Sequence, residues 1–109
     1  MIALMAASLA AEGKDLRLVE AAGRGDGEAV RSLIEEQVDV NLAYGNGMTA
    51  LHWAAHWNDL EMAELLIGVG ADVNAANDYG VTPLSEACTN QSDTLVEKLL
   101  EAEIGRAHV

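Results

Sequence analysis

Apolar positions recur along this chain at a spacing of 33 residues. Leu18, Leu51 and Leu84 fall in one column, Ala21, Ala54 and Ala87 in a second, and Leu33, Leu66 and Leu99 in a third. Ala22, Ala55 and Cys88 stand behind the second column, and Ile34, Ile67 and Leu100 follow the third. Polar positions keep the same register: Asp26 with Asp59, Glu28 with Glu61, Asp39-Val40-Asn41 with Asp72-Val73-Asn74, Gly47 with Gly80. A period held over so many columns without slippage marks a repeat protein, here with units 14–46, 47–79 and 80–109.

Within a unit the pattern predicts two helices and a turn. Thr49 and Thr82 sit where a side-chain hydroxyl can satisfy free amides at a helix start. Pro83 follows at the first helical position, where its missing N–H costs nothing. A short helix then carries Leu51, Ala54 and Ala55 inward, and its small residues allow the next layer to approach closely. Asn58-Asp59 breaks this helix and caps a second one running to about Gly68. That helix is expected to bury Leu65, Leu66 and Ile67 and to show Glu61 and Glu64 to water. Gly70 supplies a left-handed terminus. Asp72 to Tyr79, rich in Asn, Asp and Gly, makes a hairpin-like turn into the next unit. In the last unit Val96, Leu99 and Leu100 are expected to hold the second helix, with a frayed or differently packed end from Glu101. The fold class is all-α, a solenoid of stacked helix-turn-helix units joined by hairpin-like turns.

Composition narrows this further. The chain has 109 residues, half of them apolar, with 4% aromatic residues and no Phe. That favours tight small-residue helix packing over a sheet sandwich, and the length suits a single domain. The 18 acidic residues outweigh 6 basic ones, a net charge of −12, and no Lys or Arg lies between Arg31 and Lys98. A nucleic acid or anionic membrane needs a basic footprint, so both are excluded as partners. An acidic surface serves solubility or a partner with a basic patch. A lone cysteine, Cys88, forms no internal disulfide, and its apolar surroundings predict a small buried side chain.

The segment 1–13 is apolar and too short to span a bilayer. It has the length of a signal-peptide core, and Ser8-Leu9-Ala10 fits a cleavage pattern, but no basic residue precedes it. The favoured alternative is a short retained helix packed on the first unit or a neighbouring chain. Localisation is accordingly cytoplasmic, or exported if the segment is a signal.

Some residues imitate chemistry. His52 and His56 have metal-ligand spacing, but Trp53 stands where a zinc protease needs its Glu. Gly23-x-Gly25 and Gly68-x-Gly70 follow no strand and read as helix ends rather than dinucleotide loops. Asn90-Gln91-Ser92 matches a glycosylation acceptor, a common triplet. No nucleophile, base and acid constellation is visible. The chain is not expected to be an enzyme, and neither metal nor cofactor is expected.

Gly47-Met48-Thr49-Ala50-Leu51-His52-Trp53-Ala54-Ala55, followed by Leu65-Leu66-Ile67-Gly68-Val69-Gly70-Ala71-Asp72-Val73-Asn74-Ala75, resembles an ankyrin repeat column for column. Gly80-Val81-Thr82-Pro83-Leu84 opens another, and the resemblance covers residues 14 to about 102. The first unit has Leu16-Arg17-Leu18-Val19 in place of the usual opening and resembles a polar cap. The last is incomplete: Ser85 and Glu86 replace the His and following Leu, and Glu103-Ile104-Gly105-Arg106 replaces the closing turn.

The resemblance implies that His52 bonds to Thr49 and the neighbouring turn, and that Trp53 fills a core column. It implies protein binding through the turn tips and the concave side of each first helix. Those tips are Tyr44, Asn46 and Met48, then Asp78, Tyr79 and Val81. The helix positions are Gly23 and Arg24, His56 and Trp57, Thr89 and Asn90. Tyr44, Met48, Trp57 and Tyr79 are expected on one strip, at columns the framework does not need for packing. The expected function is a non-catalytic protein–protein interaction module, monomeric or weakly self-associating. An alternative is an assembly role through the uncapped end and the apolar N-terminal segment. Apolar leaders on such repeats also resemble those of exported bacterial chains.

Overall fold

The computed structural model describes residues 15–107 of the chain. The apolar segment 1–13 lies outside the described residues. Six helices follow one another: α1 (Arg17–Gly23), α2 (Gly27–Glu35), α3 (Ala50–His56), α4 (Leu60–Gly68), α5 (Pro83–Thr89) and α6 (Asp93–Ala107). Within each unit the two helices pack as a hairpin: α1 on α2, α3 on α4 and α5 on α6. The first helices α1, α3 and α5 contact one another in sequence, as do α2, α4 and α6, giving two stacked layers.

Local chemistry sets the helix ends. Thr49 accepts from the His52 amide, Thr82 from Ser85, Asp26 from Ala29 and Asp59 from Met62, each relieving an orphan donor of the first turn. Left-handed backbone falls on the repeat columns too. Gly25, Asn58 and Gln91 share one, at φ of 73°, 56° and 57°, where the first helix turns into the second. Gln37 and Gly70 share another after the second helix, and Gly47 and Gly80 a third beyond the hairpin tip.

The core runs unbroken through the stack. Leu18, Ala21 and Ala22 pack toward Leu51, Ala54 and Ala55, with Ala87 beyond, while Val30, Leu33, Met62, Leu66, Leu95 and Leu99 line the second layer. Several expectations need correction. In α4 the buried residues are Met62, Ala63 and Leu66, spaced by a helical turn, while Leu65 and Ile67 lie half-buried on the flanks. In α6 the stripe is Leu95 and Leu99, with Ala102 against the core; Leu100 is 41% exposed, and the helix continues through Glu101 to Ala107. Trp53 is half-buried on the core rather than within it. Its ring lies over Gly23, and its buried Nε1–H has no hydrogen-bond partner among the described residues.

Cys88 is exposed, not buried. Its column mates Ala22 and Ala55 are covered by the first helix of the following unit, and no described element follows α5 in that layer.

Candidate interaction surface

The site begins at the hairpin tips. An isolated antiparallel bridge joins Ala43 to Thr49, and the Tyr44 amide donates to the Met48 carbonyl at 3.0 Å. The next tip repeats this bond from Asn77 to Val81, and the Asp78 amide donates across to the Asn46 carbonyl at 2.9 Å, tying tip to tip. Asn46 Oδ1 accepts from the Met48 amide, and Asn77 Nδ2 reaches the Met48 sulfur at 3.3 Å. Tyr44, Met48 and Val81 are half-buried by these contacts, whereas Asn46, Asp78 and Tyr79 are exposed, Tyr79 by 85%. Asn77, which sequence reasoning passed over, holds the second tip: its Oδ1 accepts from both Tyr79 and Val81 amides.

His52 carries the tip geometry into the core. Nδ1 accepts from the Thr49 amide at 3.1 Å and lies 2.9 Å from its hydroxyl. Nε2 lies 2.8 Å from the Val81 carbonyl, which requires the proton on that nitrogen. Both ring nitrogens are taken up by protein, so the His52–His56 pair offers no metal two free ligands. No group of three or more metal-ligating side chains occurs among the described residues.

The other half of the surface lies at the far ends of the first helices. Met48 and Trp57 flank opposite ends of the seven-residue α3, a separation on the order of 10 Å at 1.5 Å per residue. The tips and the helix ends are therefore two separate patches, at opposite ends of α3. At the helix ends the rings of Trp53, His56 and Trp57 cluster: Trp53–Trp57 stacked at 6.5 Å, Trp53–His56 and His56–Trp57 edge-on at 5.4 and 4.9 Å. Trp57 stays 50% exposed, and His56, Thr89 and Asn90 are exposed as well. Beside Trp57 runs a shallow groove of about 420 Å³ lined by Arg24, Gly25, Asn58, Asp59 and Leu60.

Two of these residues, Trp57 and Asn90, also join the units, and for Trp57 this corrects the expectation that the framework does not need its column. Trp57 Nε1 donates to the Ala22 carbonyl at 3.1 Å. One period later, Asn90 Nδ2 donates to the Ala55 carbonyl at 2.9 Å and to the His56 carbonyl at 3.0 Å. An indole and an amide thus perform one task in one column. Residue identity hides the correspondence; only the shared presence of a side-chain N–H donor could have signalled it.

Charges divide between the layers. Arg31 bonds Glu61 at 2.6 Å and Lys98 bonds Glu64 at 3.2 Å, both between second helices of adjacent units. Arg17 bridges Asp15 and Glu36 at the N-terminal edge, and its hydrogen bonds hold the Asp15 carboxyl below the usual carboxylate range. This favours the fold above the ordinary Asp pKa and fades as pH falls through the lowered one, weakly for so exposed a pair.

Residues 18–107 match the family model for ankyrin repeats in three copies. Among similar proteins, the rice protein described as a probable E3 ubiquitin-protein ligase XBOS33 is 37% identical over 100 residues, 88% of this chain and 19% of the relative. The mouse ankyrin repeat domain-containing protein 40 is 38% identical over 81 residues, 73% of this chain and 22% of the relative. The ARF GTPase-activating protein Git of Drosophila melanogaster is 44% identical over 54 residues, 50% of this chain and 7% of the relative. The chain thus spans under a quarter of the length of each of these curated relatives. No helix among the described residues is long and apolar enough to cross a membrane.

Proposed function

This chain belongs to the ankyrin-repeat family, and on that premise we propose that it binds a protein partner through the strip from the hairpin tips to the ends of the first helices. Ankyrin repeats are generally protein–protein interaction modules, and the fold is typically non-catalytic. The observation that carries the reading is the exposure of Tyr79 and Trp57, 85% and 50%, on a scaffold whose backbone is fixed by caps and tip-to-tip bonds. Aromatics held on a rigid frame are the residues from which interface hot spots are made. The binding set comprises Tyr44, Asn46, Met48, His56, Trp57, Asp78, Tyr79, Val81, Thr89 and Asn90.

The test separates binding from stability. Tyr79→Ala should leave the melting temperature almost unchanged, since exposed substitutions stay within about 0.5 kcal/mol, and should cost a captured partner about 2 kcal/mol of affinity, the hot-spot scale. Trp57→Ala should cost similar affinity but also about 1 kcal/mol of stability, because its bond to Ala22 is lost. Partner affinity unchanged in both variants, by calorimetry, would remove the strip from the interface. A partner should also bind more weakly as salt rises, given the net charge of −12. Affinity flat from low to physiological salt would assign the acidic residues to solubility alone.

A second reading, self-association across the outward side of the last unit, draws on the exposure of Cys88 and Leu100 there. A monomeric mass by light scattering at high concentration would discard it.

A further inference from the structure

We propose that the concave face takes an arginine-bearing segment of its protein partner, with a guanidinium seated on the His56 and Trp57 rings between the carboxylates of Glu20 and Glu86. This rests on the protein-binding reading above and adds to it the chemistry of the partner.

Glu20, Trp53 and Glu86 share one column of the repeat and stand on the adjacent helices α1, α3 and α5. An aromatic therefore has an acid on the helix before it and another on the helix after it. On one side the Trp53 ring covers Gly23, where an added Cβ would stand 3.4 Å away, and Glu20 lies one helical turn back on the same face. On the other side Glu86 Oε1 lies 3.7 Å from His56 Nδ1, and the His56 ring touches both indoles edge-on. Trp57 completes the patch with half of its surface in solvent.

Among the described side chains, three of the four Lys and Arg residues are paired away from this face. The four are Arg17, Arg24, Arg31 and Lys98. Arg31 and Lys98 pair with Glu61 and Glu64 in the second-helix layer, and Arg17 serves Asp15 and Glu36. Glu20 and Glu86 remain on the first-helix layer with no described Lys or Arg side chain bound to either. The competitors to an incoming cation are the His56 imidazole when protonated, 3.7 Å from Glu86, and Arg24 one turn beyond Glu20. A guanidinium suits this arrangement because it stacks flat on aromatic rings and forks toward a carboxylate at once. An ammonium is a hydrated point charge and uses only one of the two features.

The test titrates the folded full chain, by calorimetry at low salt, with capped peptides identical except for arginine, lysine, citrulline or glutamate at the variable positions. The arginine peptide should bind tightest and the glutamate peptide not measurably. Glu86→Gln should weaken the arginine peptide about tenfold, as loss of a charge-assisted bond requires, and Arg24→Gln should strengthen it. Glu101→Gln, which removes an exposed carboxylate from α6, should change it by less than about twofold, as for a screened surface charge. Equal weakening by Glu86→Gln and Glu101→Gln, or equal affinity for arginine and citrulline peptides, would overturn the proposal. Equal affinity for the lysine peptide would overturn the assignment to arginine. A native partner that loses affinity on Tyr79→Ala but docks through an uncharged segment would overturn this inference and leave the protein-binding reading standing.

Discussion

Leu66→Ala should destabilise the chain by about 2–5 kcal/mol, the range for a buried leucine truncated to leave a cavity. Leu66 is fully buried in α4, the second helix of the middle unit, and α4 packs on α2, α3 and α6 together. No unit of such a stack buries its own apolar face; stability is a sum over units and the contacts between neighbours. Weakening the middle unit therefore weakens both joints. Against a total of about 5–15 kcal/mol for a domain, one substitution should remove a large share of the stability and lower the melting temperature markedly. Circular dichroism melts of Leu66→Ala beside Leu65→Ala provide the check. Leu65 is half-buried on the same helix and should cost clearly less. Equal shifts from both would mean that α4 turns a different face to the core.

Gly47→Ala should cost about 3 kcal/mol, and Gly80→Ala about 1 kcal/mol, although both glycines share a column and a left-handed backbone, at φ of 87° and 78°. The conformational penalty on alanine is common to the two. The difference lies in the neighbour: a Cβ on Gly47 would come within 2.7 Å of the Asn77 Cα, whereas one on Gly80 meets nothing within 4 Å. The obstacle at Gly47 is backbone of the next tip, which is bonded to Asn46 and cannot swing aside. Urea midpoints for both variants measure the gap. Equal losses would show that the tips separate readily and that the bond from Asp78 to Asn46 contributes little.

Much of this fold was legible in the chain because capping and turn chemistry are local. Thr49, Thr82 and Pro83 set helix starts through the backbone within four residues, and the structure places them there. Burial on a helix depends instead on which face meets the next layer. Leu65, Ile67 and Leu100 are as apolar as Leu66 and Leu99, and only helical phase separates buried from half-exposed. Cys88 was misjudged for a related reason: its column is buried by the unit that follows, a condition outside its own sequence neighbourhood. The tip geometry was legible, because Asn, Asp and Gly announce a turn. The surface was least legible at the helix ends. Nothing local in Trp57 or Asn90 says that each reaches a carbonyl 35 residues upstream.

That reach has a consequence for the joints of the stack. The indole of Trp57 touches solvent on one side and fastens the first two units on the other; Asn90 fastens the next two in the same way. Two side chains of the proposed binding set thus also fasten unit to unit. A partner that tightened Trp57 onto Ala22 would stiffen the first joint, and by reciprocity a stack whose first joint is already closed would bind that partner more strongly. Occupancy at the proposed surface and closure of the joint beneath it would then be one equilibrium, read out at a single indole N–H.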